Sequence, residues 1–289
     1  MSYDTLLYEK TGNIVKVTLS RPQVLNAISE EMVKEIRLAV DEADADPEVR
    51  VVILTGAGRS FSAGYDIKPR DDGRPAADPY GLEIGDYIKH WWDRDAADTQ
   101  EFTHFWKLGV PIIASVRGYC FGGGFWYSMA CDITIAADNA VFGQPEVRHI
   151  SNTSFMLAAL SNWKQAHRWA LTGDHMGAEE ALRIGVVTKV VPEADLDAET
   201  WALAERIALV PEASVRVNKA VTWMGLEAMG LGAAMQVNAA LSSVAHSSHG
   251  THREALWDAQ STGGLKGFLE ARDGPFLPEP YGPKSRKKD

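Results

Sequence analysis

The sequence predicts an α/β protein, with a strand-and-helix core over residues 1–195, a helical C-terminal region over 196–272 and a tail over 273–289. Three observations carry this. Ile14 to Leu19 (IVKVTL) alternates with the period of a half-buried strand, and Val49 to Thr55 (VRVVILT) is a nearly continuous apolar run, the mark of a strand covered on both faces. A third β-branched run, Ile112 to Val116, feeds an apolar helix through glycine, whereas Leu196 to Leu269 holds long helical patterns and no convincing strand.

Taken in order, Arg21-Pro22 ends the first strand. Ser29 then caps a helix with Glu30 and Glu31 in its first turn and a stripe of Met32, Val33, Ile36, Val40 and Ala43, stopping near Asp46-Pro47. After the second strand comes a glycine-rich loop, Gly56 to Asp66, leading to Ile67, and then a polar, proline-containing stretch, Pro69 to Pro79, expected as a surface loop. Tyr80 to Leu108 carries Tyr87, Trp91, Trp92, Phe102, Phe105 and Trp106 at irregular helical spacing; packing of one or two helices onto the core is weighed above a pocket lining, because aromatics mostly serve burial. Cys131 to Ala136 reads as a strand, Val147 to Leu171 runs into a helix, Ala178 to Ile184 is a short helix ended by Gly185, and Val186 to Val191 is a last β-branched run. Helical stretches follow at Ala198 to Leu209, Ala213 to Met229 and Ala233 to Ala245.

Composition removes several function classes. A formal charge of −10 over 289 residues opposes a nucleic-acid partner, whose phosphates demand a basic face. Two cysteines, Cys120 and Cys131, are too few for a disulfide framework and suit a reducing cytoplasm as buried thiols. The N-terminus lacks a signal-peptide pattern and no apolar run approaches the ~18 residues of a membrane span, so a cytoplasmic protein with no membrane partner is expected.

Chemistry concentrates between Pro111 and Glu146. Gly122, Gly123 and Gly124 precede the apolar segment Phe125 to Ala130; glycines leave the first amides of a helix uncovered, and the helix dipole adds partial positive charge there. Phe142-Gly143-Gln144-Pro145-Glu146 then brings a carboxylate onto a loop. An oxygen-holding amide and a carboxylate in one segment point to a carbonyl substrate and a proton to move. The glycine run lacks the G-x-G-x-x-G spacing of a dinucleotide fingerprint, so a nucleotide-dependent oxidoreductase ranks last.

Four segments in this order, FSAGYDIK (Phe61 to Lys68), GYCFGGGFWYSMACDI (Gly118 to Ile133), FGQPEV (Phe142 to Val147) and LTGDHMGAEEALRIGVVTKVVP (Leu171 to Pro192), resemble the crotonase superfamily, the enoyl-CoA hydratase/isomerase family. The resemblance covers nearly the whole chain. It implies a spiral of ββα units, a helical C-terminal region that builds a trimer or a dimer of trimers, and acyl-CoA thioesters as substrates, with coenzyme A as part of the substrate and no other cofactor. By motif position it implies that the Tyr65 and Gly123 amides hold the thioester oxygen, that Glu146 is the acid/base, and that the backbone of Ser62 and Ala63 lies by the CoA adenine. Asp66, Ile67, Gly122, Trp126 and His149 complete the implied substrate-binding set.

The chain departs from that pattern at two places. Hydratases hold water with two glutamates, and the position of the first is Trp126, which donates one N–H but exchanges no proton near neutrality. The loop after Glu146 reads Arg148-His149-Ile150-Ser151-Asn152-Thr153-Ser154 in place of a glycine-rich stretch, bringing His149 and Asn152 near the carboxylate. One base suffices for double-bond isomerisation, or for hydrolysis of a thioester or of a C–C bond beside a carbonyl, so these stand beside hydration, with a non-catalytic acyl-CoA-binding homologue as the class-level alternative. His246, His249 and His252 have poor ligand spacing and read as a solvated helix end, with no metal expected, and the basic residues Lys284 to Lys288 read as part of the tail.

Overall fold

The computed structural model describes residues 3–67, 83–150, 155–247 and 250–279. The expected loop at 69–79, the 151–154 segment with Asn152, His249 and the basic tail lie outside these residues.

The first strand of the sheet, β1 (Leu6–Thr11), pairs antiparallel with β2 (Ile14–Leu19), and β2 begins and ends where its alternation does. Helix α1 (Glu30–Ala45) starts where Ser29 accepts a hydrogen bond from the Met32 amide at 3.2 Å, as its capping signal predicts. The following elements are β3 (Val51–Gly56), the long α2 (Ile84–Lys107), β4 (Ile112–Val116), β5 (Tyr119–Phe121), α3 (Gly123–Ala130), β6 (Ile133–Ala137) and β7 (Val141–Gly143). Then come α4 (Phe155–Leu160), α5 (Trp163–Thr172), β8 (Met176–Gly177), α6 (Ala178–Arg183) and β9 (Lys189–Val191), and the chain closes through α7 (Leu196–Ala208), α8 (Glu212–Ala228), α9 (Leu231–His246) and α10 (Thr251–Asp273).

The main sheet has the order β1-β2-β3-β4-β6-β9, parallel from β2 onwards, and a small second sheet has the order β5-β7-β8. Each repeat gives one strand to each sheet and then turns into a helix: β4, β5, α3 is one such unit, and β6 and β7 open the next. Residue Ser62, bridged to Cys120 of β5, continues the small sheet for the unit that begins with β3. This is the ββα spiral that the motifs imply. The short strands β5, β7 and β8, of two or three residues, carry no period that a sequence pattern can register.

The apolar runs are continuous because both faces of the main sheet are covered. Alternate residues divide between two cores: Val52 and Leu54 join Ile112, Ala114 and the α1 stripe, while Val51 and Ile53 join Ile113 and Ile135 beneath Leu196 and Ala204 of α7. Residue 195 therefore divides the chain by secondary structure and not by packing, since α7 closes one face of the sheet and α9 packs along α2. The expected tail also starts too early: Glu279 is completely buried, because the Arg148 guanidinium at 2.9 Å and the His175 amide at 2.8 Å donate to its carboxylate and hold it there.

Candidate active site

The glycine turn is built by close approach. Gly122 has φ +50°, the left-handed region that favours glycine, and ends β5 by donating its amide to Gly143 O at 3.0 Å. A Cβ on Gly123 would meet the Tyr65 ring at 2.8 Å, and one on Gly124 would meet Ser62 Cβ at 2.6 Å. Gly123 and Gly124 hold glycine because the 61–66 loop lies directly on them, and Gly122 because its backbone is left-handed. That loop bridges in parallel to Ile28, whose amide donates to Gly64 O at 2.8 Å and whose carbonyl accepts from the Asp66 amide at 3.0 Å. In such a bridge the intervening Tyr65 amide points away from Ile28. The Gly123 amide, at the first position of α3, has no acceptor within its own helix.

A cavity of about 700 Å³ opens over this turn. Its wall includes Tyr65, Gly122, Gly123, Trp126 and Glu146, and also Ala63, Asp66, Ile67 and His149. The structure thus brings together nine of the ten site residues expected from the sequence. Ser62 is the exception: it is fully buried behind the wall, its hydroxyl donating to Asn26 O at 2.8 Å and accepting from the Gly64 amide at 3.1 Å.

Glu146 stands on a 3₁₀ turn, Pro145–Arg148, with its carboxylate oxygens 3.4 Å from where a Gly122 Cβ would be. The turn is closed by the His149 and Ile150 amides, both donating to Glu146 O, at 3.0 and 2.8 Å. Beneath it Arg148, with its side chain 1% exposed, donates to Thr172 O at 3.0 Å, Asp273 at 3.1 Å and Glu279 at 2.9 Å. The Glu146 carboxylate therefore sits two residues from a buried guanidinium that ties the turn to the chain's last described segment.

Trp126 is buried and stacked on Phe102 of α2, ring centroids 5.2 Å apart and planes at 15°. Trp91 and Phe102 are at once core residues and cavity wall, so packing and pocket lining are the same role here. His246 is buried, not solvated: it stacks on Trp91 at 4.1 Å with Nδ1 3.3 Å from Asp95, because α9 packs against α2. Among the described residues no group of three or more His, Cys, Asp or Glu is placed to hold a metal ion. The unforeseen wall residues include Arg94, Asp95 and Asp98 of α2 and Arg253 and Arg272 of α10. The α2 signal was available in part, since positions 91, 94, 95, 98 and 102 follow the three- and four-residue spacing of one helix face.

His149 is driven down to about pH 3 in its proton affinity, first by burial and then by the charges of Arg272 and Arg253. It meets Phe268 edge-on at 5.3 Å, and its Nδ1 has no hydrogen-bond partner among the described residues. A neutral imidazole results. An unfolded imidazole protonates near pH 6.5, so below that pH the unfolded chain binds the extra proton and stability falls, by about 1 kcal/mol per pH unit from this group. We expect His149→Phe to flatten the loss between pH 6.5 and 4.5 in urea titrations; stability curves for the two proteins that stay parallel would exclude this.

A family model described as Enoyl-CoA hydratase/isomerase matches residues 9–278. The chain belongs to the enoyl-CoA hydratase/isomerase family. It is 36% identical over 224 residues to a probable enoyl-CoA hydratase of Mycobacterium bovis, covering 76% of this chain and 81% of that protein. To the short-chain-enoyl-CoA hydratase of Clostridium acetobutylicum it is 34% identical, covering 78% and 84%. The crystal structure of an enoyl-CoA hydratase/isomerase from Xanthobacter autotrophicus Py2 superposes with a TM-score of 0.86 at 31% identity, over 95% of this chain and 99% of that one. The protein is thus an acyl-CoA enzyme of crotonase fold, and no helix among the described residues is long and apolar enough to cross a membrane.

Proposed function

We propose that the enzyme forms a thioester enolate from an acyl-CoA, with the Tyr65 and Gly123 amides receiving the thioester oxygen and Glu146 moving the proton at C2. The observation that carries this is the Glu146 carboxylate lying against Gly122, one residue from the Gly123 amide, in one cavity with Tyr65. The enolate oxygen bears more charge than the ground-state carbonyl, so two pre-aimed amides stabilise the transition state preferentially; losing one such donor costs about 3 kcal/mol of barrier. The chemistry needs only a base, two amides and the CoA carried by the substrate.

The burial of Trp126 at the first glutamate's position favours a second reading, migration of a double bond from the 3- to the 2-position with Glu146 shuttling one proton. Exposed Val217, Val221 and Met224 on α8, with Val237, Leu241 and Val244 on α9, support self-association into a trimer or a dimer of trimers. The test is an assay of crotonyl-CoA, a 3-enoyl-CoA and a β-ketoacyl-CoA with products identified by mass, alongside exchange of the C2 protons of saturated acyl-CoA in D2O. Exchange with turnover of at least one substrate is expected. Tight binding with neither exchange nor turnover would identify a non-catalytic acyl-CoA binder instead.

A further inference from the structure

Helix α2 places two carboxyl groups among its aromatic wall residues, Asp95, which faces His246, and Asp98, which faces Tyr65. Asp98 lines the cavity and accepts a hydrogen bond from the Tyr65 hydroxyl. The Tyr65 ring lies on the glycine turn, with Cζ 3.0 Å from where a Gly123 Cβ would be, so Asp98 stands one hydrogen bond beyond a phenol that touches the turn. It is also one helical turn before Phe102, whose ring stacks on Trp126. The tryptophan occupying the expected first-glutamate position and this carboxyl are thus neighbours through Phe102. We propose that Asp98 is the second proton-transfer group of this enzyme, taking over from α2 the work that position 126 on α3 has given up, and that the reaction is reversible hydration of a 2-enoyl-CoA.

The inference rests on the enolate reading above and adds a substrate class to it. In the hydration direction a water in the cavity loses a proton to the Asp98 carboxylate as its oxygen bonds to C3. The C2=C3 electron pair moves onto the thioester as an enolate, and protonated Glu146 then delivers its proton to C2. Asp98 ends as the acid and Glu146 as the carboxylate; solvent resets both, and no other reactant is consumed. Dehydration is the reverse, with Asp98 protonating the leaving hydroxyl. Asp98 is equipped for both directions: burial raises its pKa to about 6, against the lowering effects of Arg94 and the Tyr65 hydrogen bond. The groups acting on it are Arg94, Asp95 and Glu101 of its own helix, Tyr65 on the loop and Tyr127 on α3. Burial, then the Asp98 charge, pushes the Tyr65 phenol well above its ordinary pKa, so it stays a neutral donor that holds the carboxyl in place.

Two measurements separate the roles. Exchange of the C2 protons of butyryl-CoA and 3-phenylpropionyl-CoA in D2O needs the amides and Glu146 alone, while hydration of crotonyl-CoA and cinnamoyl-CoA needs Asp98 as well. Asp98→Asn, which keeps shape and hydrogen bonding, is expected to lose at least about 100-fold in hydration while C2 exchange stays within about threefold, and retained exchange certifies a folded site. Hydration by Asp98→Asn at wild-type rates, or a parallel loss of exchange and hydration, would overturn the role of Asp98 and leave the enolate reading standing. A wild-type enzyme that exchanges C2 protons but hydrates neither probe would also overturn it; one that does neither would overturn the enolate reading with it.

Discussion

Glu146→Gln is expected to abolish turnover, by about 1,000-fold or more, while leaving acyl-CoA affinity nearly unchanged. The amide keeps the side chain's shape beside Gly122 but carries no exchangeable acid–base function, and general acid–base groups contribute about 10²–10⁴-fold each. Because the same carboxylate forms the enolate, C2 exchange should vanish with turnover, which separates this variant from Asp98→Asn. Steady-state kinetics and calorimetric titration with a saturated acyl-CoA measure the two quantities. Near-normal rates in the variant would end the assignment of Glu146 as the base.

Arg148→Met should be the most destabilising single change in the site, by about 3–5 kcal/mol, because it leaves carboxylates in the interior without their cation. Glu279 is completely buried and Asp174 nearly so, and both face this guanidinium, at 2.9 and 3.4 Å. The figure falls toward the lower end because Arg168 still pairs with Asp174 and His175 with Glu279, each at 2.9 Å. Burial works to raise the Glu279 pKa, but the His175 and Arg148 hydrogen bonds outweigh it and hold it at about 2. A depressed carboxylate stabilises the fold above the ordinary glutamate pKa and loses that contribution as pH falls towards 2. Chemical denaturation measures the effect, and Glu279→Gln added to Arg148→Met should recover part of it. A loss under 1 kcal/mol in the single variant would show that the network contributes little. Since Arg148 follows Glu146 by two residues, kcat should fall even where the variant remains folded.

The sequence and the structure agree where information is local. The IVKVTL alternation gives β2, Ser29 gives the start of α1, and the Ile112–Val116 run into three glycines gives β4 and the start of α3, because side-chain period, capping and backbone freedom are properties of neighbouring residues. The motif residues reach one cavity because the glycine turn and the 61–66 loop need each other: Gly123 is glycine so that Tyr65 can lie on it. Asp98 was legible only as a position on one helix face, for the opposite reason. One acid among the several of an aromatic helix looks like its solvated face, and only the packing of α2 over α3 and α9 turns it inward. His246 and Glu279 follow the same rule, a histidine near a helix end and an acid in a proline-rich tail that become interior groups through partners at Asp95, Arg148 and His175, far away in the chain.

By itself the sequence determined the family, the spiral of strands and helices, the glycine turn and the carboxylate at Glu146, all written in contiguous residues whose chemistry does not depend on distant partners. The tertiary structure alone decided which charged groups are buried, that Trp126 is walled in by Phe102, and that Asp98 enters the cavity through Tyr65. Burial is a property of what packs against a residue, and for these positions the packing partner lies tens of residues away.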